Sequence, residues 1–308
     1  MVNSGAVPAE RQLLVAVMDS GIDSTHPDLN YAGGISWVTT GAAKPNDVAA
    51  NVDNLGHGTH IAGTIGARNN GAGVVGVSPG VPLYSLKVLD GDGRGMLSTV
   101  ISAMKWVVAQ GVKQGVRVVN ISLAAFIDPK SADYEVTKDL VCSVFKEASD
   151  AGVLVVVAAG NYGAEVEGYM PAGCPTVAVA TALDSDGIAA ASFSNYMPVK
   201  APPTELARVV AAPGTYILST VSYAADPSGY GLMSGTSMAA PHVAGVAANC
   251  MLNGACPAGT GYANLAMMQA AAQQRYQLAG AKAYGFRGDP YSISGERYYG
   301  LLVWSGMF

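Results

Sequence analysis

Ser237 stands in the string G-T-S-M-A-A-P-H at 235–242, after a Gly-Thr turn and ahead of small residues that can open a helix. A serine hydroxyl at a helix N-terminus meets unpaired N–H groups and the positive end of the helix dipole, both of which favour developing negative charge. That suits a nucleophilic oxygen and the oxyanion that its attack creates. Two further strings carry the partners such a serine needs. V-A-V-M-D-S-G-I-D at 15–23 brings an apolar run to an end at Asp19, and G-H-G-T-H-I-A-G-T at 56–64 sets His57 at the head of another run of small residues. An acid, an imidazole and an alcohol together can activate a hydroxyl and move its proton. Singly, each has an ordinary explanation: Asp19 as a turn residue, His57 as a helix cap, Ser237 as an N-cap. His60 reads as a capping or core histidine and His242 as structural.

Those three groups lie far apart in the chain, so a fold must collect them. Apolar, β-branched-rich runs at 13–18, 83–89, 116–121, 153–158 and 176–181 read as buried strands. Between them, Leu97, Val100, Ile101, Met104 and Val108 keep a helical spacing, as do Leu140, Val144 and Ala148. Repeated strand–helix–strand order predicts an α/β fold with a mostly parallel central sheet and helices on both faces. Sites in such sheets collect beyond the carboxyl ends of the strands. Asp19 and Asn161 each follow a predicted strand end.

The chain has 308 residues, 50% of them hydrophobic, with no linker or composition break, which favours a single domain. Within it we divide a leader at 1–12, a core at 13–255 and a helix-and-strand extension at 256–308. Charged residues make up 13% and the net charge is −5, so nothing supports nucleic-acid binding. No apolar run reaches the ~18 residues of a membrane span. Residues 1–12 lack the basic start and apolar stretch of a signal peptide. Taken alone, that describes a cytosolic protein, and a monomer is expected. None of the four cysteines, Cys142, Cys174, Cys250 and Cys256, has zinc-like spacing with histidine. Cys250 and Cys256 are near enough in sequence for a local bridge, and Cys142 falls in an apolar helical pattern that also suits a buried thiol; the pairing stays open.

The three strings, in the order Asp, His, Ser, resemble the subtilisin family of serine proteases. A-A-G-N at 158–161, N-I-S-L at 120–123, S-F-S-N at 192–195 and A-A-P-G at 211–214 resemble further family blocks, in the family's order. The resemblance implies a three-layer architecture and a serine endopeptidase acting through an acyl-enzyme. In it Ser237 attacks, His57 is general base and then acid, Asp19 orients the imidazole, and Asn161 donates to the oxyanion with support from Thr236. It implies an extended polypeptide substrate held between Gly93-Arg94-Gly95 and Ser122-Leu123-Ala124, with Ala158-Ala159-Gly160 as the opposite wall of the pocket before the cut bond. The family has Gly-Gly where this chain has Ala124-Ala125. The added methyls predict a preference for small or medium apolar residues, whereas Glu167 in E-G-Y would favour basic ones if it faced the pocket.

N-N-G-A-G-V-V-G-V at 69–77 resembles the family's calcium loop. The resemblance implies a structural calcium held by the side chains of Asp28 and Asn70 and the carbonyls of Arg68, Ala72 and Val74. It also implies secretion, which permits two disulfides, and synthesis as a zymogen, so folding is expected to depend on an inhibitory pro-segment removed or supplied separately. Two rival readings remain: a silent relative that binds peptides in the same cleft, and an acyltransferase or peptide ligase using the same groups.

Overall fold

The computed structural model describes residues 13–38, 49–256, 259–280, 284–303 and 305–306. The leader expected at 1–12 lies outside them. In chain order the strands are β1 (Leu14–Asp19), β2 (Tyr31–Ser36), β3 (Leu83–Lys87), β4 (Val116–Ile121), β5 (Ala125–Phe126), β6 (Leu154–Ala158) and β7 (Tyr169–Met170). They continue as β8 (Ala178–Leu183), β9 (Met197–Pro198), β10 (Val209–Pro213), β11 (Ile217–Thr220), β12 (Tyr230–Met233), β13 (Arg297–Tyr298) and β14 (Leu301–Leu302). The helices are α1 (His57–Gly66), α2 (Leu97–Trp106), α3 (Tyr134–Asp150), α4 (Pro203–Leu206), α5 (Thr236–Leu252) and α6 (Gly261–Ala279).

Eight strands form one sheet in the order β14-β10-β8-β6-β4-β1-β3-β2, and every pairing in it is parallel. The central strands are buried on both faces, which is why they read as continuous apolar runs. Because side chains alternate along a strand, β1 serves two cores at once. Val15 and Val17 pack with Ile61 and Ile65 of α1 and the alanines of α5. Leu14, Ala16 and Met18 pack on the other side with Met104 of α2 and Phe145 of α3. The outcome is an α/β sandwich of helix, sheet and helix, as expected.

The five predicted strands all form, within one or two residues of their expected ends. The strand expected in the C-terminal extension forms as the short β13 and β14, whereas β2, β10 and the β11–β12 hairpin are not expected from the apolar runs. β2 (YAGGIS) is a part-exposed edge strand with two glycines, and β14 has two residues, so neither carries a periodic signal. One helical stripe is displaced: Val141, Val144, Phe145 and Ala148 are buried, whereas Leu140, which we assigned to that face, is exposed. The expected helix near the C-terminus forms as α6, whose Leu265 and Met268 pack in the α1/α5 core.

Both cysteine pairs are bridged, Cys142 with Cys174 and Cys250 with Cys256. The reading of Cys142 as a buried thiol is thereby corrected. Its partner comes from the segment after β7, 32 residues on, which only the packing of α3 brings alongside. Among the described residues, no helix is long and apolar enough to cross a membrane.

Candidate active site

The strand order reverses direction at β1, which lies between β3 and β4. A cleft is expected at such a point, beyond the carboxyl ends of the strands. Asp19 is the last residue of β1, Ser122 follows the end of β4, and Ala158–Asn161 runs off the end of β6. Two helices start at the same rim: His57 opens α1, and Ser237 is the second residue of α5.

Close approach of α1 to β1 needs glycine at one point. A Cβ on Gly58 would lie 2.1 Å from the carbonyl oxygen of Gly21 and 3.2 Å from the Cβ of Asp19. With nothing in that space, the His57 ring reaches the carboxylate: His57 Nδ1 lies 2.8 Å from Asp19 Oδ1. Asp19 is fully buried, while the imidazole keeps 22% of its side-chain surface in solvent. A ring that donates from Nδ1 presents Nε2 as its acceptor. Burial, the largest influence on this imidazole, works against its charged form. The charge and hydrogen bond of Asp19, and then the charge of Asp53, outweigh burial and raise its proton affinity above the ordinary value.

Ser237 is half-buried. Its Oγ donates to the Ser122 carbonyl at 3.2 Å, and its own carbonyl accepts from Ser122 Oγ at 2.9 Å. Ser122 Oγ in turn accepts from Asn120 Nδ2 at 2.9 Å, so the end of β4 is tied to the start of α5. Asn161 is fixed by its oxygen: Oδ1 accepts the Thr236 N–H at 2.8 Å and the Thr236 hydroxyl at 2.9 Å. Thr236 Oγ1 also accepts the Gly160 N–H at 3.0 Å. A backbone N–H must donate, so the amide has to present Oδ1 there and Nδ2 outward. Among the described residues nothing accepts from that Nδ2, which faces the turn holding Ser237: a Cβ on Gly235 would meet it at 3.2 Å.

Gly160 has φ +105, and a Cβ there would strike Asn195 Nδ2 at 2.3 Å. The close approach lets Asn195 clamp the loop. Its Nδ2 donates to the Ala159 carbonyl, and its Oδ1 accepts the N–H groups of Tyr162 and Ala164. Ala158 and Ala159 are buried at the end of β6, and Ala124 is exposed across from them. Gly93, Arg94 and Gly95 form an exposed turn closed by Asp90, with Gly93 against Leu55 in the loop before His57. Behind the wall, β5 pairs antiparallel with β7, and the Phe126 ring packs on Tyr169 at 5.0 Å. Glu167 is exposed. Its charge is felt by Tyr134 at the start of α3, whose hydroxyl burial, then Glu167 and Glu135, push up to about 12.

His60 and His242 take no part in this cluster. His60 Nε2 binds the Ile217 carbonyl at 2.9 Å, and burial pushes its pKa down to about 4. His242 Nδ1 binds the Met238 carbonyl within its own helix, and burial lowers its proton affinity too.

The loop at 69–77, expected to hold a cation, follows the end of α1 that lies away from His57. Asp28 is buried, with Oδ1 accepting from Asn70 Nδ2 at 2.8 Å and Oδ2 from the Tyr230 hydroxyl at 2.7 Å. Burial would raise its pKa, but hydrogen bonds from Asn70 and Tyr230, the charge of His26 and the Val74 N–H together hold it below the usual carboxylate value. Among the described residues, the carbonyls of Arg68, Ala72 and Val74 accept no hydrogen bond. No group of three or more His, Cys, Asp or Glu side chains gathers there or elsewhere among those residues.

Sequence reasoning passed over three buried polar residues at the site. Ser20 and Lys87 flank Asp19, and Asp53 precedes α1. A serine directly after Asp19 and an aspartate four residues before His57 were visible, but neither type carries a periodic or motif signal.

Comparison with known proteins places the chain in a family. The model of the Subtilase family, Peptidase_S8, matches residues 10–286. The "Thermostable alkaline protease" of Halalkalibacterium halodurans is 40% identical over 234 residues, 76% of this chain and 55% of that protein. Subtilisin E of Bacillus subtilis is 41% identical over 239 residues, 76% of this chain and 54% of that protein. The chain thus spans about half the length of these curated relatives. Among solved structures, a cold adapted subtilisin-like serine proteinase superposes with a TM-score of 0.68 at 27% identity, covering 98% of this chain and 92% of that one.

Proposed function

From the premise that this chain belongs to the subtilase family, we propose that it is a serine endopeptidase in which Asp19, His57 and Ser237 act together. The observation that carries the reading is the 2.8 Å contact between His57 Nδ1 and Asp19 Oδ1, at the rim where α5 presents Ser237. With Nδ1 engaged, Nε2 is the base. The Ser237 hydroxyl leaves the Ser122 carbonyl, gives its proton to Nε2, and its oxygen bonds to the scissile carbonyl carbon. The oxyanion meets Asn161 Nδ2 and the Ser237 N–H, donors at the positive end of α5. The imidazolium then protonates the amine as the C–N bond breaks. Water, deprotonated by the same nitrogen, bonds to the acyl carbon; the bond to Ser237 Oγ then breaks as the imidazolium returns the proton to that oxygen, which releases the acid and restores the hydroxyl.

The substrate lies extended between the 93–95 turn and 122–124, where main-chain pairing gives affinity with little sequence choice. Ala124 and Ala125 narrow the pocket, which supports a preference for small or medium apolar residues before the cut bond; a dominant preference for basic residues in peptide profiling would assign the pocket to Glu167 instead.

Asp28, Asn70 and the carbonyls of Arg68, Ala72 and Val74 fit a hard cation by donor type, once Asn70 turns its amide oxygen toward Asp28. A calcium ion there would anchor the loop to α1 and take no part in the chemistry. A chelator should then lower the melting temperature, since a ligand of the native state stabilises it. The family reading also supports secretion and control by an inhibitory pro-segment.

The test is peptide hydrolysis by wild type against Ser237→Ala, with product termini sequenced and a fluorophosphonate label applied to both. Labelling and cleavage by the wild type alone support the proposal. A wild type that binds peptide but neither cleaves nor takes the label is a silent relative, and the reading fails.

A further inference from the structure

Asp53 lies in the loop before α1 with 2% of its surface exposed. Its carboxylate takes five hydrogen bonds. Oδ1 accepts from Ser20 Oγ at 2.9 Å, from the Leu55 N–H at 3.2 Å and from the Gly56 N–H at 2.8 Å. Oδ2 accepts from the N–H and hydroxyl of Thr59 at 2.8 and 2.7 Å. It accepts in every one of them, the pattern of an ionised group. The N-cap residue itself, Gly56, has no side chain to cap with, so Asp53 supplies that function from outside the helix.

Ser20 extends the arrangement to the other side of the site. While its Oγ donates to Asp53, it accepts the Gly58 N–H at 3.0 Å, and the Ser20 N–H donates to Asp19 Oδ1 at 2.7 Å. Lys87 Nζ, buried on β3, donates to the Ser20 carbonyl. One residue thus joins the Asp19 carboxylate, the first turn of the helix that begins with His57, and a second carboxylate.

We propose that Asp53 is a positioning residue for catalysis: through Ser20 and the first turn of α1 it fixes the His57 ring on Asp19 and sets a second negative charge against the imidazolium formed in acyl transfer. The proposal rests on the protease reading above. A cap needs only one or two of the five bonds. Ser20 adds one more cap bond, from the Gly58 N–H, but its further bonds to Asp53 and to Asp19 go beyond capping and fix the separation across which His57 and Asp19 meet. The charge acts in the same direction, since it adds to that of Asp19 in favouring protonated His57. The other groups around the ring do not oppose it. His60, one turn on, and His242 of α5 are held neutral by burial. β11 offers only Ser219 and Thr220, and the Lys87 side chain, which donates to the Ser20 carbonyl, is not among the groups that move His57, whose proton affinity is set by burial, Asp19 and Asp53.

Asp53→Asn keeps the size and removes the charge. In the full chain, kcat for a peptide substrate should fall about tenfold or more with KM changed less than about twofold. The acid limb of kcat/KM should move to lower pH by about half a unit or more, because a base freed of a neighbouring negative charge loses its proton more easily. The His57 ring, titrated by NMR in Ser237→Ala with and without Asp53→Asn, should shift the same way and needs no turnover. A folded Asp53→Asn protein with unchanged kcat, or with His57 titrating as in wild type, overturns the proposal even if its melting temperature drops. Should Asp53→Asn fail to fold, Ser20→Ala breaks the bridge alone, and an unchanged kcat there overturns it equally. A wild type that cleaves no peptide refutes the protease reading instead, and the ring titration still decides whether Asp53 acts on His57.

Discussion

The two faces of the central sheet are covered in different ways. On one face, α5 lies against the strands with Ala239, Ala240, Ala244, Ala247 and Ala248 buried, and α1 starts at the sheet rim through Gly58. On the other, α2 and α3 pack with larger side chains, Met104, Val141, Val144 and Phe145. Small side chains bring helix N-termini within hydrogen-bond reach of the strand ends, where His57 meets Asp19 and Thr236 meets Asn161. Bulky ones hold the helices off and contribute buried area. The contrast teaches that the alanine- and glycine-lined face is built for position and the α2/α3 face for stability.

Substitutions on the two faces should therefore separate activity from stability. The largest effect belongs to Asp19→Asn, which keeps the shape of the rim and removes the group that orients His57: kcat should fall by about 10⁴ while the chain stays folded, read by steady-state kinetics beside a melting curve. On the opposite face, Phe145→Ala should cost about 3–5 kcal/mol in denaturant unfolding and leave kcat near the wild-type value. A comparable loss of kcat would dissolve the distinction between the faces. Asn161→Ala should lower kcat by about 10²–10³ with little change in KM, if its amide is the proposed oxyanion donor, needed chiefly in the transition state.

The smallest effect is in acid. His60 is buried on the α1 side with its pKa depressed to about 4, so the unfolded chain binds its proton more readily than the folded one. Its contribution, on the order of 3 kcal/mol, is complete above the unfolded value near pH 6.5. It is lost as pH falls from there to about 4. Replacing His60 with Gln should flatten that part of the stability profile. His57 titrates in the opposite sense, with a raised affinity, and under the proposed function it should set the acid limb of activity. If the His60→Gln variant also moved the acid limb of activity, the two histidines would not be doing separate jobs.

Much of this was legible in the residues. The buried parallel strands announce themselves as apolar runs because both of their faces need the same chemistry. Asp19, His57, Asn161 and Ser237 stand out because each sits where a strand ends or a helix begins, with glycines beside it. The displaced α3 stripe shows the limit. Leu140 and Val141 are adjacent and both apolar, and helical spacing alone does not say which one turns inward. Ser20, Asp53 and Lys87 were silent because a polar residue gives no sign of burial until its partners are known.

The sequence by itself determined much of the local content of the molecule: five buried strands of the central sheet, the helical stripes between them, and the side chains that stand at those strand ends and helix starts. That follows from backbone preference and the period of apolar residues, properties of neighbours in the chain. Tertiary structure alone decided that Cys142 bonds to Cys174, that Ser20 bridges Asp19 and Asp53, and that Tyr230 closes on Asp28. Each of these joins groups from different segments at bonding distance. Such distances are set by how closely helices lie on the sheet, and no local pattern in the chain encodes them.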